Sequence, residues 1–222
     1  MTGLDTSAAT TVEGIDVSGE NGLFDWGPHA GRIGFTAIRA TSWVTASTFN
    51  QDLQVDDNGA ATWDLRIPRI WYHETRPGAG GARLQAREVI EALGGHLCHG
   101  DMLAAAMEES DGDPPAFVAQ WHHAFLSALN EHAPGHRVLA YCNPYWASLG
   151  NTAGLDAWHL WLADWDVTQP RVPQPWRRWA FWQYTSTGGP GGAPLDRDRW
   201  HGTVGELRAF ARFPDWRLRP GM

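Results

Sequence analysis

The chain has 222 residues, a net charge of −8 and 43% hydrophobic residues. That length suits a single large α/β domain, and the acidic balance argues against a nucleic-acid partner, which needs a basic face. No stretch reaches the ~20 apolar residues of a membrane span. Cys98 and Cys142 match no metal motif and are too few for a disulfide scaffold, so they read as two buried thiols, with a single bridge between them as the alternative. Tryptophan is the outlier at 14 residues. Indole rings fill cores, but their flat faces also suit the apolar faces of sugars.

In chain order, residues 1–12 are rich in Thr and Ala without a period and read as a polar arm. They show neither the basic start nor the apolar run of a secretory signal. Ile15 and Val17 alternate with Asp16 and Ser18, a short strand ending in polar groups. A second strand is expected over Gly34–Thr41, then a loop or weakly amphipathic helix from Asn50 to Thr62. A third strand covers Ile67–Glu74, with Pro68 in its first residues, where proline is tolerated. Ala82 to Leu93 is a helix stopped by Gly94-Gly95, with Leu84, Val89, Ile90 and Leu93 on one face. The fourth strand is Leu103–Glu108. Pro115 to His132 is a long helix carrying Phe117, Trp121, Phe125 and Leu129 at four-residue spacing. A fifth strand follows at His136–Cys142, a short helix at Pro144–Leu149, a sixth strand at His159–Trp165 and a seventh at Trp179–Tyr184. A glycine-rich loop then leads to Leu195-Asp196, and a last helix is expected over Val204–Arg212.

Strands alternating with helices argue for a parallel sheet covered by helices, and about eight strand candidates in one domain favour a closed barrel. The helices thin out in the C-terminal half, so the expected fold is a single irregular (β/α) TIM-like barrel over residues 13–222. Active sites of such barrels lie at the C-terminal ends of the strands. Those ends carry Asp16, Arg39, Tyr72 to Glu74, Glu108, Tyr141, Asp164 and Gln183-Tyr184, with Asp196 on the last connection. Paired carboxylates beside aromatic walls are what glycoside hydrolysis needs. One acid protonates the leaving oxygen, and a second group stabilises the positive charge at the sugar carbon or activates the nucleophile. Glu108 follows Ala106 and Met107, apolar neighbours that would raise its pKa and keep it protonated.

These residues resemble glycoside hydrolase family 25, the N-acetylmuramidase type of lysozyme. The resemblance is carried by Gly14-Ile15-Asp16-Val17-Ser18, Phe24-Asp25-Trp26, Phe35 to Thr41, Trp71-Tyr72-His73, Trp161-Leu162-Ala163-Asp164-Trp165, the run Trp179 to Thr185, and Leu195-Asp196-Arg197-Asp198. It implies a flattened, irregular barrel. It also implies cleavage of the β-1,4 bond between N-acetylmuramic acid and N-acetylglucosamine in bacterial peptidoglycan, with no metal or organic cofactor. By position, Asp16 and Asp196 would be cleft carboxylates and Glu108 the general acid. Tyr72, Tyr141, Asp164, Trp165, Gln183 and Tyr184 would line the sugar site.

The family's usual Asp-x-Glu on strand four reads Ala106-Met107-Glu108 here. Glu74 stands where Phe is common and shares a strand face with Tyr72, so it reads either as the source of the missing charge or as a solvated loop residue. Two functions follow. One is an active peptidoglycan muramidase, weakened if nothing replaces the lost aspartate. The other is a catalytically disabled domain that holds glycan or forms part of a phage-like or injection particle, docked through the N-terminal arm. Without a signal sequence, action on the wall calls for release by lysis or carriage on a particle.

Overall fold

The computed structural model describes residues 10–45 and 48–214. Most of the polar arm therefore lies outside the described residues, but its end does not. Strand β1 spans Thr11–Val17, so Thr11 and Val12 belong to the barrel.

The strands are β1, β2 (Phe35–Thr45), β3 (Thr48–Gln51), β4 (Arg69–Glu74), β5 (Met102–Ala106), β6 (Arg137–Cys142), β7 (His159–Ala163), β8 (Phe181–Thr185) and β9 (Asp196–His201). Their order is β1-β9-β8-β7-β6-β5-β4-β2-β3, and β1 also pairs with β2. Eight strands therefore close into a barrel, and β3 folds back on β2 as an antiparallel extension. Pairs from β1–β2 through β7–β8 are parallel, whereas β9 runs antiparallel to both β8 and β1. Among the described residues the helices are α1 (Val55–Leu65), α2 (Ala82–Leu93), α3 (Pro115–His132), α4 (Pro144–Ser148) and α5 (Val204–Ala211). No helix lies between β7 and β8, so the thinning expected from the sequence is real. None of the described helices is long and apolar enough to cross a membrane.

Strand alternation splits the core into two layers. Phe35, Ile70, Met102, Leu139, Trp161 and Phe181 fill the barrel. Trp71, Leu103, Val138, Leu160 and Leu162 belong to the outer layer that packs with the surrounding helices. Strand β5 is buried on both faces, which explains its unbroken apolar run. Its inward alanines, Ala104 and Ala106, leave room for Trp161, whose ring lies 4.8 Å from Tyr141 and 5.8 Å from Tyr72. Gly14 is required by the same packing, because a Cβ there would sit 2.4 Å from the Phe35 ring.

The helix faces differ in detail from the expectation. In α2 the buried face is Ala82, Gln85, Ala86, Val89 and Leu93, and Leu84 is exposed. In α3 Trp121, Phe125 and Leu129 are buried, but Phe117 at the first turn is not. Both cysteines are free thiols, Cys142 fully buried and Cys98 half-buried. Strands β3 and β9 are additions that the sequence reading lacked.

Candidate active site

Strands β1, β2, β4, β5, β6 and β8 point their C-terminal ends into one cleft, and antiparallel β9 starts there. The cleft has a volume of about 600 Å³ and is lined by Asp16, Tyr72, Glu74, Ala106, Glu108 and Asp196, with Tyr141, Trp161, Trp165 and Gln183 on its walls. Inward parity explains the set. Tyr72 and Glu74 follow Ile70 on β4, and Glu108 follows Ala104 and Ala106 past the end of β5.

Asp16 is almost fully buried and faces Asp196 directly in the β1–β9 register. Burial, then the charges of Asp198 and Asp196, push its pKa well above the usual carboxylate value, while hydrogen bonding from Tyr72 and Gln183 pulls the other way. Gln183 holds this wall together. Its Nε2 donates to Asp16 Oδ2 at 2.8 Å, and its Oε1 accepts from Tyr141 Oη and from Trp165 Nε1, both at 2.9 Å. Three donors and acceptors therefore lock one amide orientation.

Glu108 reaches the cleft beyond the last ladder bonds of β5. Water touches its side chain from the cleft mouth, yet the surrounding walls desolvate it and raise its pKa to about 7, with Glu74, Asp196 and Glu109 adding like charge. Asp196 is raised to about 6 by burial and by Glu20. Around pH 6–7 the cleft thus holds one carboxyl protonated and another ionised, the pairing that acid-assisted cleavage uses. Among the described residues no cluster of His, Cys, Asp and Glu could hold a metal ion.

Glu74 is the register partner of Ala106 across β4–β5. Its Oε1 accepts from Arg39 Nη1 at 2.7 Å. Arg39 also donates through Nε to Asp52 Oδ2 at 2.8 Å and through Nη1 to Glu20 Oε1 at 3.3 Å. One guanidinium therefore serves three carboxylates, and the cluster keeps net negative charge beside the cleft. The Asp52 carboxylate also accepts from the Gly19 N–H at 2.8 Å. A Cβ on Gly19 would press against that carboxylate at 2.9 Å, so the approach requires glycine.

The family profile of glycosyl hydrolases family 25 matches residues 15–193. The chain belongs to that family. Lysozyme M1 of Streptomyces globisporus is 27% identical over 214 residues, covering 90% of this chain and 71% of that protein. The crystal structure of the bacterial lysozyme from Streptomyces coelicolor superposes with a TM-score of 0.77 at 28% identity, covering 93% of this chain and 98% of that one. A muramidase from Trichobolus zukalii shares the fold, with a TM-score of 0.78 at 21% identity over 90% of this chain and 99% of its own.

Within this family 25 barrel, two residues expected at the sugar site face elsewhere. Asp164 lies one step out of phase with inward Trp161 and Ala163. Its carboxylate accepts from Arg171 Nη2 at 2.6 Å, Arg171 Nε at 3.1 Å and the Arg171 N–H at 2.8 Å, and these bonds lower its pKa. Tyr184 is adjacent to inward Gln183 and so points outward. Its hydroxyl donates to Glu13 Oε2 at 2.7 Å, under the Arg199 guanidinium. Neighbouring strand residues cannot both enter the barrel.

One site residue was missed, and the role of another was not foreseen. Asp198 is fully buried, accepts from Trp161 Nε1 at 2.8 Å and has its pKa raised to about 8 by burial, with Asp196 adding to the shift. Its signal was the strict alternation Asp196, Arg197, Asp198, Arg199, which marks a strand with acids inside. Arg39 was seen as a strand end, but its partners Asp52 and Glu20 come from loops that no pattern links to it.

Proposed function

We propose that the chain is a peptidoglycan muramidase in which Glu108 protonates the glycosidic oxygen between N-acetylmuramic acid and N-acetylglucosamine. The observation that carries this reading is Glu108 itself, an acid held near pKa 7 in an aromatic-walled cleft beside other carboxylates. As the C–O bond breaks, the Glu108 proton passes to the leaving oxygen and positive charge grows at the sugar carbon. Asp196, ionised above about pH 6, stabilises that charge or activates the attacking group. Asp16, oriented by Gln183, and Tyr72 hold the substrate polar groups. Tyr141, Trp161 and Trp165 supply aromatic faces for the ring. The place of action is the bacterial cell wall.

Glu74 takes over the electrostatic part of the aspartate replaced by Ala106. It sits on the adjacent strand at the matching register position and lines the same cleft. One observation favours the second reading, a glycan-holding domain with disabled chemistry: Glu74 is already bonded to Arg39. The test compares clearing of a peptidoglycan suspension with pull-down by the same walls. Clearing by the native chain, abolished in Glu108→Gln, supports the muramidase. Retention on walls without clearing selects the disabled domain.

A further inference from the structure

The tryptophan excess is not absorbed by the cleft. Of the described tryptophans only Trp161 and Trp165 line it. Four others, Trp158, Trp176, Trp179 and Trp200, line a second pocket of about 550 Å³. It lies at the opposite mouth of the barrel, where β7 and β8 begin and β9 ends, against α5. Its size falls within the roughly 300–1,000 Å³ of small-ligand sites. Conserving fold stability alone would not call for an open aromatic pocket here, since the barrel floor is already closed by Leu207 and Phe210.

Three features define what it would bind. Trp179 is only partly buried and packs its ring against His201 at 4.7 Å, making an aromatic platform at the pocket wall. The indole N–H groups of Trp158 and Trp200 are fully buried and Trp176 donates to the Trp158 carbonyl at 2.9 Å, so the tryptophans offer the pocket ring surface and not donors. The charged lining is balanced, Arg177 and Arg178 against Asp156 and Glu206. Flat faces and a lining without net charge, with exposed Arg177 and Arg178 as donors, fit a ligand with apolar ring faces and oxygen acceptors, and fit a polyanion poorly.

We infer that this pocket is a second saccharide site, which takes a neutral amino-sugar segment of the wall glycan away from the cleft. The choice of wall glycan rests on the muramidase reading, and the saccharide chemistry rests on the pocket. Two sites on one barrel engage a polymer together and raise its retention without changing the bond-breaking step.

The test uses the full chain in a Glu108→Gln background, titrated calorimetrically with the β-1,4-linked N-acetylglucosamine tetramer. Two binding events are expected. Trp179→Ala should remove one of them, and so should Ala157→Trp, which fills the pocket mouth from an exposed position without deleting a packed ring. With Glu108 intact, both variants should keep kcat on a soluble oligosaccharide and lose clearing of insoluble walls by about tenfold or more. A single binding event in the parent overturns the inference. So do two events surviving in folded Ala157→Trp, or binding of polyglycerol phosphate in place of the tetramer at this pocket. If the native chain clears no walls but both tetramer sites are found, the muramidase reading fails and the second site stands.

Discussion

Glu74 faces Ala106 directly across the β4–β5 ladder. The side chain that would have carried charge into the cleft from β5 is a methyl group, and the nearest ladder position on β4 carries a carboxylate. Arg39 draws that carboxylate toward β2, but it also binds Asp52 and Glu20 and cannot neutralise all three. Glu74 therefore still acts on Glu108, where its charge is the largest contribution after desolvation.

The first prediction concerns Glu74→Gln. Removing its charge lowers the Glu108 pKa, so the alkaline limb of the kcat/KM profile moves to lower pH, and kcat falls. Replacing a single electrostatic contributor typically costs ~3–4 kcal/mol in the transition state, and the residual Arg39 pairing makes the loss here smaller. Glu108→Gln should be inactive. A Glu74→Gln enzyme with unchanged rate and unchanged limb would remove Glu74 from the mechanism.

The native profile should be bell-shaped, with limbs near pH 6 and pH 7. The acid limb reports ionisation of Asp196, raised to about 6, and the alkaline limb the loss of the Glu108 proton. Initial rates on a soluble oligosaccharide from pH 4 to 9 check this. Activity that keeps rising beyond pH 8 would exclude Glu108 as proton donor.

Ala106→Asp should raise kcat and push the alkaline limb upward, because a second like charge joins Glu74 near Glu108. In that background Glu74→Gln should cost less than in the native chain. Equal costs in both backgrounds would mean that the two carboxylates do different jobs.

Asp198→Asn tests the buried acid. Asp198 has a native pKa of about 8, far above its unfolded value. Between those values the native state binds a proton that the unfolded chain has released, so stability falls as pH rises. The amide needs no proton. Its melting temperature should exceed that of the native chain at pH 8, and the difference should shrink toward pH 4. Buried His73 and His122 act in the opposite sense. Burial lowers them to about 4 and about 3, so they withdraw stability as pH falls below their unfolded value of ~6.5. Both trends can be separated in one thermal-denaturation series.

Gln183→Leu leaves the Tyr141 hydroxyl and the Trp165 N–H without their acceptor and removes one of the donors to Asp16. A buried group left unpaired costs ~1–3 kcal/mol, so urea denaturation should show a loss in that range together with weaker substrate binding. Unchanged stability would mean that water replaces the amide.

The barrel was legible because its parallel strands are apolar runs with carboxylates or aromatics at their C-terminal ends, as at Asp16, Tyr72 and Tyr141. Side-chain direction was less legible. Asp164 and Tyr184 belong to the right strands, but they occupy the outward phase, and a motif names both phases alike. Strand β9 escaped because it is charged and antiparallel, so Asp198 and the direct Asp16–Asp196 facing were lost with it. The Arg39 network joins β2, β4 and two loops, and contacts of that range have no local signature.

The reversed direction of β9 has a practical effect on how this scaffold can change. Every other barrel strand brings its chain up to the cleft, whereas β9 leaves from it with Asp196 as its first residue. The segment from Ser186 to Leu195 is therefore a bridge over the rim, and Ser186, Thr187, Pro194 and Leu195 already line the cleft. Lengthening or shortening that bridge would reshape the roof over the glycan while the closed barrel beneath kept its pairing. It is the natural graft point for altering which wall polymer the cleft admits.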